Sequence, residues 1–149
     1  MPYLIDGNNL IGVFPFLEQG TQESRDFVIR KLLKFHHITG KRIILVFDGA
    51  PSYPVHRQEI SPRKFLILFP SFGETADDVI KRNLKQGIIL VSSDRELIEE
   101  ARRRKLRWIR SKDFVRMLDK FQEERQEKPD WHPTPQEIDA WLKIFGGKR

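Results

Sequence analysis

At 149 residues, with 39% hydrophobic and 32% charged positions, the chain holds one soluble domain with a real core and not comfortably two. It has no cysteine, which excludes a disulfide framework, cysteine-type zinc sites and a thiol nucleophile; with no secretory signal in MPYLIDGNN and no apolar run near the roughly 20 residues of a membrane span, a cytoplasmic protein is expected. The net charge of +6 gathers in Arg102, Arg103, Arg104, Lys105, Arg107, Arg110 and Lys112, a stretch that suits phosphate backbones but also has the composition of a solvated helix face.

In chain order, residues 3–6 (YLID) are a short apolar run that closes on Asp6 and Gly7, the pattern of a buried strand entering a turn. From Ser24 to His37, apolar residues fall near helical spacing, and Gly40 supplies the stop. Residues 42–48 (RIILVFD) form a second apolar run ending on an aspartate; the lack of polar alternation marks a strand covered on both faces. Residues 50–63 contain three prolines and no period, and read as a long exposed loop. A strand at 64–69 and a turn at 70–73 lead to a helix from Thr75 to about Lys85, with Gly87 as its stop signal. Residues 88–92 (IILVS) read as the clearest buried strand, and Ser93 with Glu96 predicts a capping box for the helix RELIEEARRRK.

Residues 107–110 predict an edge strand, and Ser111 a cap for the helix KDFVRMLDKF. The resulting βα, β, βα, βα, βα order predicts a three-layer α/β/α sandwich on a mainly parallel sheet, with residues 1–121 as the domain. A polar linker is expected at 122–133 and a terminal helix at 134–149, opened by Thr134, Pro135 and Glu137. So short a helix is marginal alone, so it should dock on the domain or on a partner, a second copy of the chain among them.

Ligands of parallel sheets sit beyond the carboxyl ends of the strands, and three apolar runs end there on Asp6, Asp48 and Asp94. Asp77 and Asp78 occupy the first turn of the helix after GETADD. Converging carboxylates repel one another, and a hard divalent cation such as Mg²⁺ or Mn²⁺ is their natural occupant. Singly, Asp77, Asp78 and Asp94 also serve as helix-start residues, and Asp48 as a turn residue. Asp6 is costlier to explain, because a carboxylate after three apolar residues is expensive to bury without a partner. Asn8, Asn9, Ser92 and Ser93 can orient carboxylates or meet substrate from the same edge. The four histidines show no ligand spacing.

LIDGNNLIG (4–12), ILVFDG (44–49), GETADDVI (73–80) and VSSDRELIEEARRRKLRWIRSKDF (91–114) stand in one order over most of residues 1–120, and together they resemble the YacP-type branch of the NYN domains, a PIN-like nuclease fold. The resemblance implies a metal-dependent ribonuclease with Asp6, Asp77 and Asp94 as its principal carboxylates and matches Asp48 to its FD motif; Asp48 and Asp78, placed at the same edge, are expected as additional metal ligands or as supports behind the metal. It places the closing asparagine of the first motif on Asn9, with Asn8 where the family often has an aromatic. It also puts Glu96 where many members carry a second aspartate, and leaves the tail from about Lys128 outside the shared motifs. Arg57 and Arg63, with the basic stretch 102–112, are expected to grip RNA, whether free or on a ribosome. A second reading is an RNA- or ribosome-binding module that keeps the fold without turnover. An aspartyl phosphatase or dehalogenase fits less well, because Asn8 stands where its second acid would be.

Overall fold

In the computed structural model, which describes residues 1–49, 57–61 and 64–146, six strands form one sheet. The strands are β1 (Tyr3–Asp6), β2 (Ile43–Val46), β3 (Arg57–Ser61), β4 (Phe65–Leu68), β5 (Ile89–Val91) and β6 (Arg107–Ile109). The helices are α1 (Gly7–Ile11), α2 (Gln22–Thr39), α3 (Ala76–Asn83), α4 (Arg95–Arg103), α5 (Ser111–Glu127) and α6 (Pro135–Phe145). The sheet order is β3-β4-β2-β1-β5-β6, and every pairing is parallel except that of β3 with β4. Tyr3 lies opposite Ile43 and Ile89, so the strands that frame the site start level and finish level.

Period-two alternation sorts the strand side chains into two cores. Tyr3, Ile5, Leu45, Ile67, Val91 and Ile109 face α2, α5 and α6, meeting Val28, Leu32, Phe35, Phe114 and Phe121. Leu4, Val46, Leu90 and Trp108 face α3 and α4, meeting Val79, Ile80, Leu97 and Ala101. Each fully buried aliphatic or aromatic side chain contributes about 1.5–3 kcal/mol, and burial on both faces explains why these strands read as unbroken apolar runs. The same alternation turns Asp6, two residues after Leu4, toward the α3/α4 layer.

Several local expectations are corrected. Gly7 does not simply turn the chain but opens the one-turn helix α1 on Asp6 as its cap. The loop expected at 50–63 contains β3, an edge strand whose irregular register against β4 hides its alternation; residues 50–56 and 62–63, Arg63 among them, lie outside the described residues. Residues 122–127, expected in the linker, continue α5 to Glu127. The cap of α4 is Asp94 rather than Ser93, and Ser111 is the first residue of α5 rather than its cap. Thr134 and Glu137 form the expected capping box with Pro135 in the first turn, and α6 docks on its own domain by burying Ile138 and Leu142. Trp141 stacks on Phe121 with ring centroids 4.4 Å apart. No helix among the described residues is long and apolar enough to cross a membrane.

Candidate functional site

Asp6 sits at the carboxyl end of β1, 7% exposed. Its Oδ2 accepts a hydrogen bond from the Ser92 hydroxyl at 3.0 Å, and its Oδ1 accepts the Asn9 N–H at 3.4 Å. Burial pushes its pKa up from 3.8 to about 6; the bonds from Ser92 and Asn9 pull the other way, and the negative charges of Asp77 and Asp94 add to the rise. This carboxylate is therefore under-compensated where it stands.

Asp94 follows β5 and caps α4, its Oδ1 accepting the N–H groups of Glu96 at 2.8 Å and Leu97 at 3.2 Å. Its own N–H donates to the Ser92 hydroxyl oxygen at 3.1 Å, so Ser92 joins Asp6 and Asp94 in one relay. Asp77 projects from the first turn of α3 toward the same point, half-buried. Its pKa is raised first by burial and then by Asp94, with Glu96 and Asp48 adding to the rise and Lys81 opposing it. One oxygen each from Asp77, Asp94 and Glu96 lie within 4.8 Å of one another. Three oxygen donors at that spacing, beside a buried carboxylate, have the chemistry of a hard divalent cation site; Mg²⁺ or Mn²⁺ fits this donor set.

The remaining expected residues separate into braces and bystanders. Asn9 Oδ1 accepts from the Ser93 N–H at 2.9 Å and the Ser111 hydroxyl at 2.6 Å, tying α1 to the β5–α4 turn and to α5. Ser93 in turn accepts the Ser111 N–H at 3.1 Å. Asn8 Oδ1 accepts the Asp48 N–H at 2.7 Å, which fixes the turn after β2. Asp48 itself is exposed and accepts the Gly49 N–H, so it borders the corner rather than forming it. Asp78 is drawn away altogether: it closes the α3 capping box, accepting the Thr75 N–H at 2.9 Å. Expected as a metal ligand, it stands as a cap.

The basic stretch is divided by the fold. β6 runs parallel to β5 with Arg107 opposite Ile89, so α4 must carry the chain from the carboxyl edge to the amino edge of the sheet. Arg102, Arg103, Arg104, Lys105 and Arg107 therefore lie at the end away from the carboxylates. There Arg103 and Arg104 pair with Glu100, Arg107 with Asp139 at 2.6 Å, and the Arg102 guanidinium covers the Trp108 ring. Only after β6 does the chain return, bringing Arg110 and Lys112 to the carboxyl edge. Lys112 lines an open cleft with Asp6, Asn8, Asn9, Gln19 and Ser93. Arg57, opposite Leu68, also stands at the carboxyl edge, on the outer strand.

Two residues at this corner escape sequence reasoning. Lys81 donates to Glu96 Oε1 at 2.7 Å, and its place four residues after Asp77 on one helix face was a usable signal. Gln19 exchanges hydrogen bonds with Asn8 from a loop of no recognisable pattern, and nothing in its neighbourhood marks it.

A sequence profile of the YacP-like NYN domain matches residues 3–140. The chain belongs to the YacP-like NYN domain family. The match runs through the tail beyond Lys128 and into α6, so the NYN domain reaches further than the shared motifs suggest. Among curated proteins, the Bacillus subtilis (strain 168) "Uncharacterized protein YacP" is 32% identical over 83 residues, 53% of this chain and 48% of that protein. The aligned region thus spans about half the length of that relative. Two solved structures share the fold. The crystal structure of Rae1 (YacP) from Bacillus subtilis in its W164L mutant form has a TM-score of 0.65 at 25% identity, covering 98% of this chain and 93% of that one. The crystal structure of Rae1 (YacP) itself has a TM-score of 0.66 at 22% identity over 97% and 90%. The mixed α/β sandwich on a mainly parallel sheet, expected for an NYN domain, is therefore shown twice over, by topology and by likeness.

Proposed function

We propose that this chain is a metal-dependent endoribonuclease that hydrolyses RNA phosphodiester bonds at the carboxyl edge of its sheet. The observation that carries this reading is the meeting of Asp77, Asp94 and Glu96 oxygens within 4.8 Å, beside the buried Asp6. Membership of a nuclease-like family supports it. Asp77, Asp94 and Glu96 would hold Mg²⁺ or Mn²⁺, with Asp6 behind them and Asp48 at the border. When bound, such an ion supplies Lewis-acid polarisation of the phosphodiester and neutralises charge developing on it.

The protein's own contribution is position. Ser92 fixes Asp6 against Asp94, and Asn9 locks the β5–α4 turn to α5, so the carboxylates are held by hydrogen bonds rather than by loop packing. Lys112, which lines the cleft with Asp6, and Arg110 supply positive charge at this edge for an RNA backbone. One contact favours a second reading, an RNA-binding module of the same fold with little or no turnover: the Lys81 ammonium already balances Glu96.

The deciding experiment incubates the protein with a mixed RNA pool in Mn²⁺, Mg²⁺ or EDTA, beside Asp94→Asn. Asparagine caps helices as well as aspartate, so this variant keeps the start of α4 while losing the charge. Cleavage by the wild type with metal only supports the nuclease. Equal cleavage in every lane rejects it, and retained RNA binding without cleavage favours the binding module.

A further inference from the structure

At the amino edge of the sheet, opposite the carboxylate corner, a buried donor has no partner among the described residues. The Tyr3 side chain is fully buried, its ring packed edge-on to Phe35 and against Phe114, yet its hydroxyl has no hydrogen-bond partner among the described residues. An orphaned buried hydroxyl costs free energy on the scale of a lost hydrogen bond, and such groups are rare. Tyr3 lines a cavity of about 380 Å³ with Lys41, Arg107, Asp139 and the apolar side chains of Ile89, Ile138 and Leu142. Burial pushes the phenol pKa up, with the Arg107 charge opposing the rise and the Asp139 charge adding to it, so the hydroxyl is protonated and able to donate.

The charges around this cavity do not cancel. Asp139 is shared between Arg107 at 2.6 Å and Lys143 at 3.7 Å, while Lys41 has no carboxylate partner among the described residues. The walls therefore present a phenol donor, a guanidinium and an ammonium over an apolar floor, and a single carboxylate that is already paired. We propose that this cavity binds a small phosphate, free or carried on an organic group, with the Tyr3 hydroxyl and Lys41 as its principal donors. A phosphate offers acceptors to more than one donor at once, which a group of this kind needs. Because α6 supplies Ile138, Asp139 and Leu142 to the wall, an occupant would also hold that helix to the sheet.

The test is isothermal titration of the full chain with inorganic phosphate, adenosine monophosphate and acetate, repeated on Tyr3→Phe and Lys41→Ala. Tyr3→Phe conserves the buried ring and removes only the orphaned hydroxyl, so it folds without the polar group. Binding of either phosphate to the wild type, weakened about tenfold or more in Tyr3→Phe, is the expected result. Tighter binding of the monophosphate than of inorganic phosphate assigns the apolar floor to the organic group. Equal binding to wild type and Tyr3→Phe overturns the proposal, as does acetate binding as tightly as phosphate. No heat with any probe overturns it too, and leaves the hydroxyl to an ordered water. None of these outcomes depends on whether the carboxylate corner cleaves RNA.

Discussion

Replacing Asp6 by asparagine should stabilise the metal-free protein at alkaline pH. In the folded chain the Asp6 carboxyl titrates at about 6 against an ordinary value of 3.8, so the native state holds its proton more tightly than the unfolded chain does. Between those values the native state carries the extra proton, and stability falls as pH rises through the window, then levels off above it. At roughly 1.4 kcal/mol per pH unit, the ionised carboxylate costs about 3 kcal/mol at pH 8 and only a few tenths at pH 4. The amide of Asp6→Asn has the same size and can still accept from Ser92, but it gives up one of two accepting oxygens, a loss of about 1 kcal/mol. The net gain is about 2 kcal/mol at pH 8 in EDTA, with no gain or a small loss at pH 4. Urea unfolding of both proteins at the two pH values, extrapolated to water, measures this directly. A variant less stable than the wild type at pH 8, or a difference that does not change with pH, would refute the placement of an ionised, under-compensated Asp6.

Neighbouring aspartates on α3 should part company in metal binding: Mn²⁺ raises the melting temperature of the wild type and of Asp78→Asn, while Asp77→Asn loses the response, as read by thermal shift against EDTA controls. Thr75→Ala removes the α3 cap and lowers stability by about 1 kcal/mol in urea unfolding while keeping the Mn²⁺ response. Gly7→Ala places a methyl group 2.6 Å from the Phe47 ring and 2.9 Å from the Val46 carbonyl oxygen, and should cost about 1–3 kcal/mol by the same measurement. Leu142→Ala empties a buried position between α6 and the sheet, with an expected loss of about 2–5 kcal/mol and an altered tryptophan emission from Trp141 on α6.

Much of this architecture is written plainly in the chain. Strands buried on both faces announce themselves as YLI, IILV and ILV, and the aspartates at or just past their ends, Asp6, Asp48 and Asp94, mark the edge where chemistry gathers. What was not legible follows from the same physics. Polar side chains and an irregular register conceal β3, and the Gly-Asn-Asn that shapes α1 is equally good turn sequence. Moving the α4 cap by one residue, from Ser93 to Asp94, turns Glu96 from half of a capping box into a member of the carboxylate corner. The basic stretch is the sharpest lesson: residues contiguous in sequence lie at opposite ends of a sheet, because one helix and one strand run between them. Asp78 shows the converse, a carboxylate beside Asp77 in the chain and yet committed to its own helix.

The brace at Asn9 has a consequence in time. Its side-chain oxygen waits for partners 84 and 102 positions further along the chain, so nothing made early in synthesis can complete the corner. In chain order β1, α2 and β2 are all made before Ser92, Asp94 and Ser111, the residues that complete the corner. Until then Asp6 stands at a strand end with neither Ser92 nor Asp94 beside it. The first carboxylate translated is among the last to gain its surroundings, and a chain cut short between Glu96 and Ser111 carries the carboxylates of the site without the frame that makes them one.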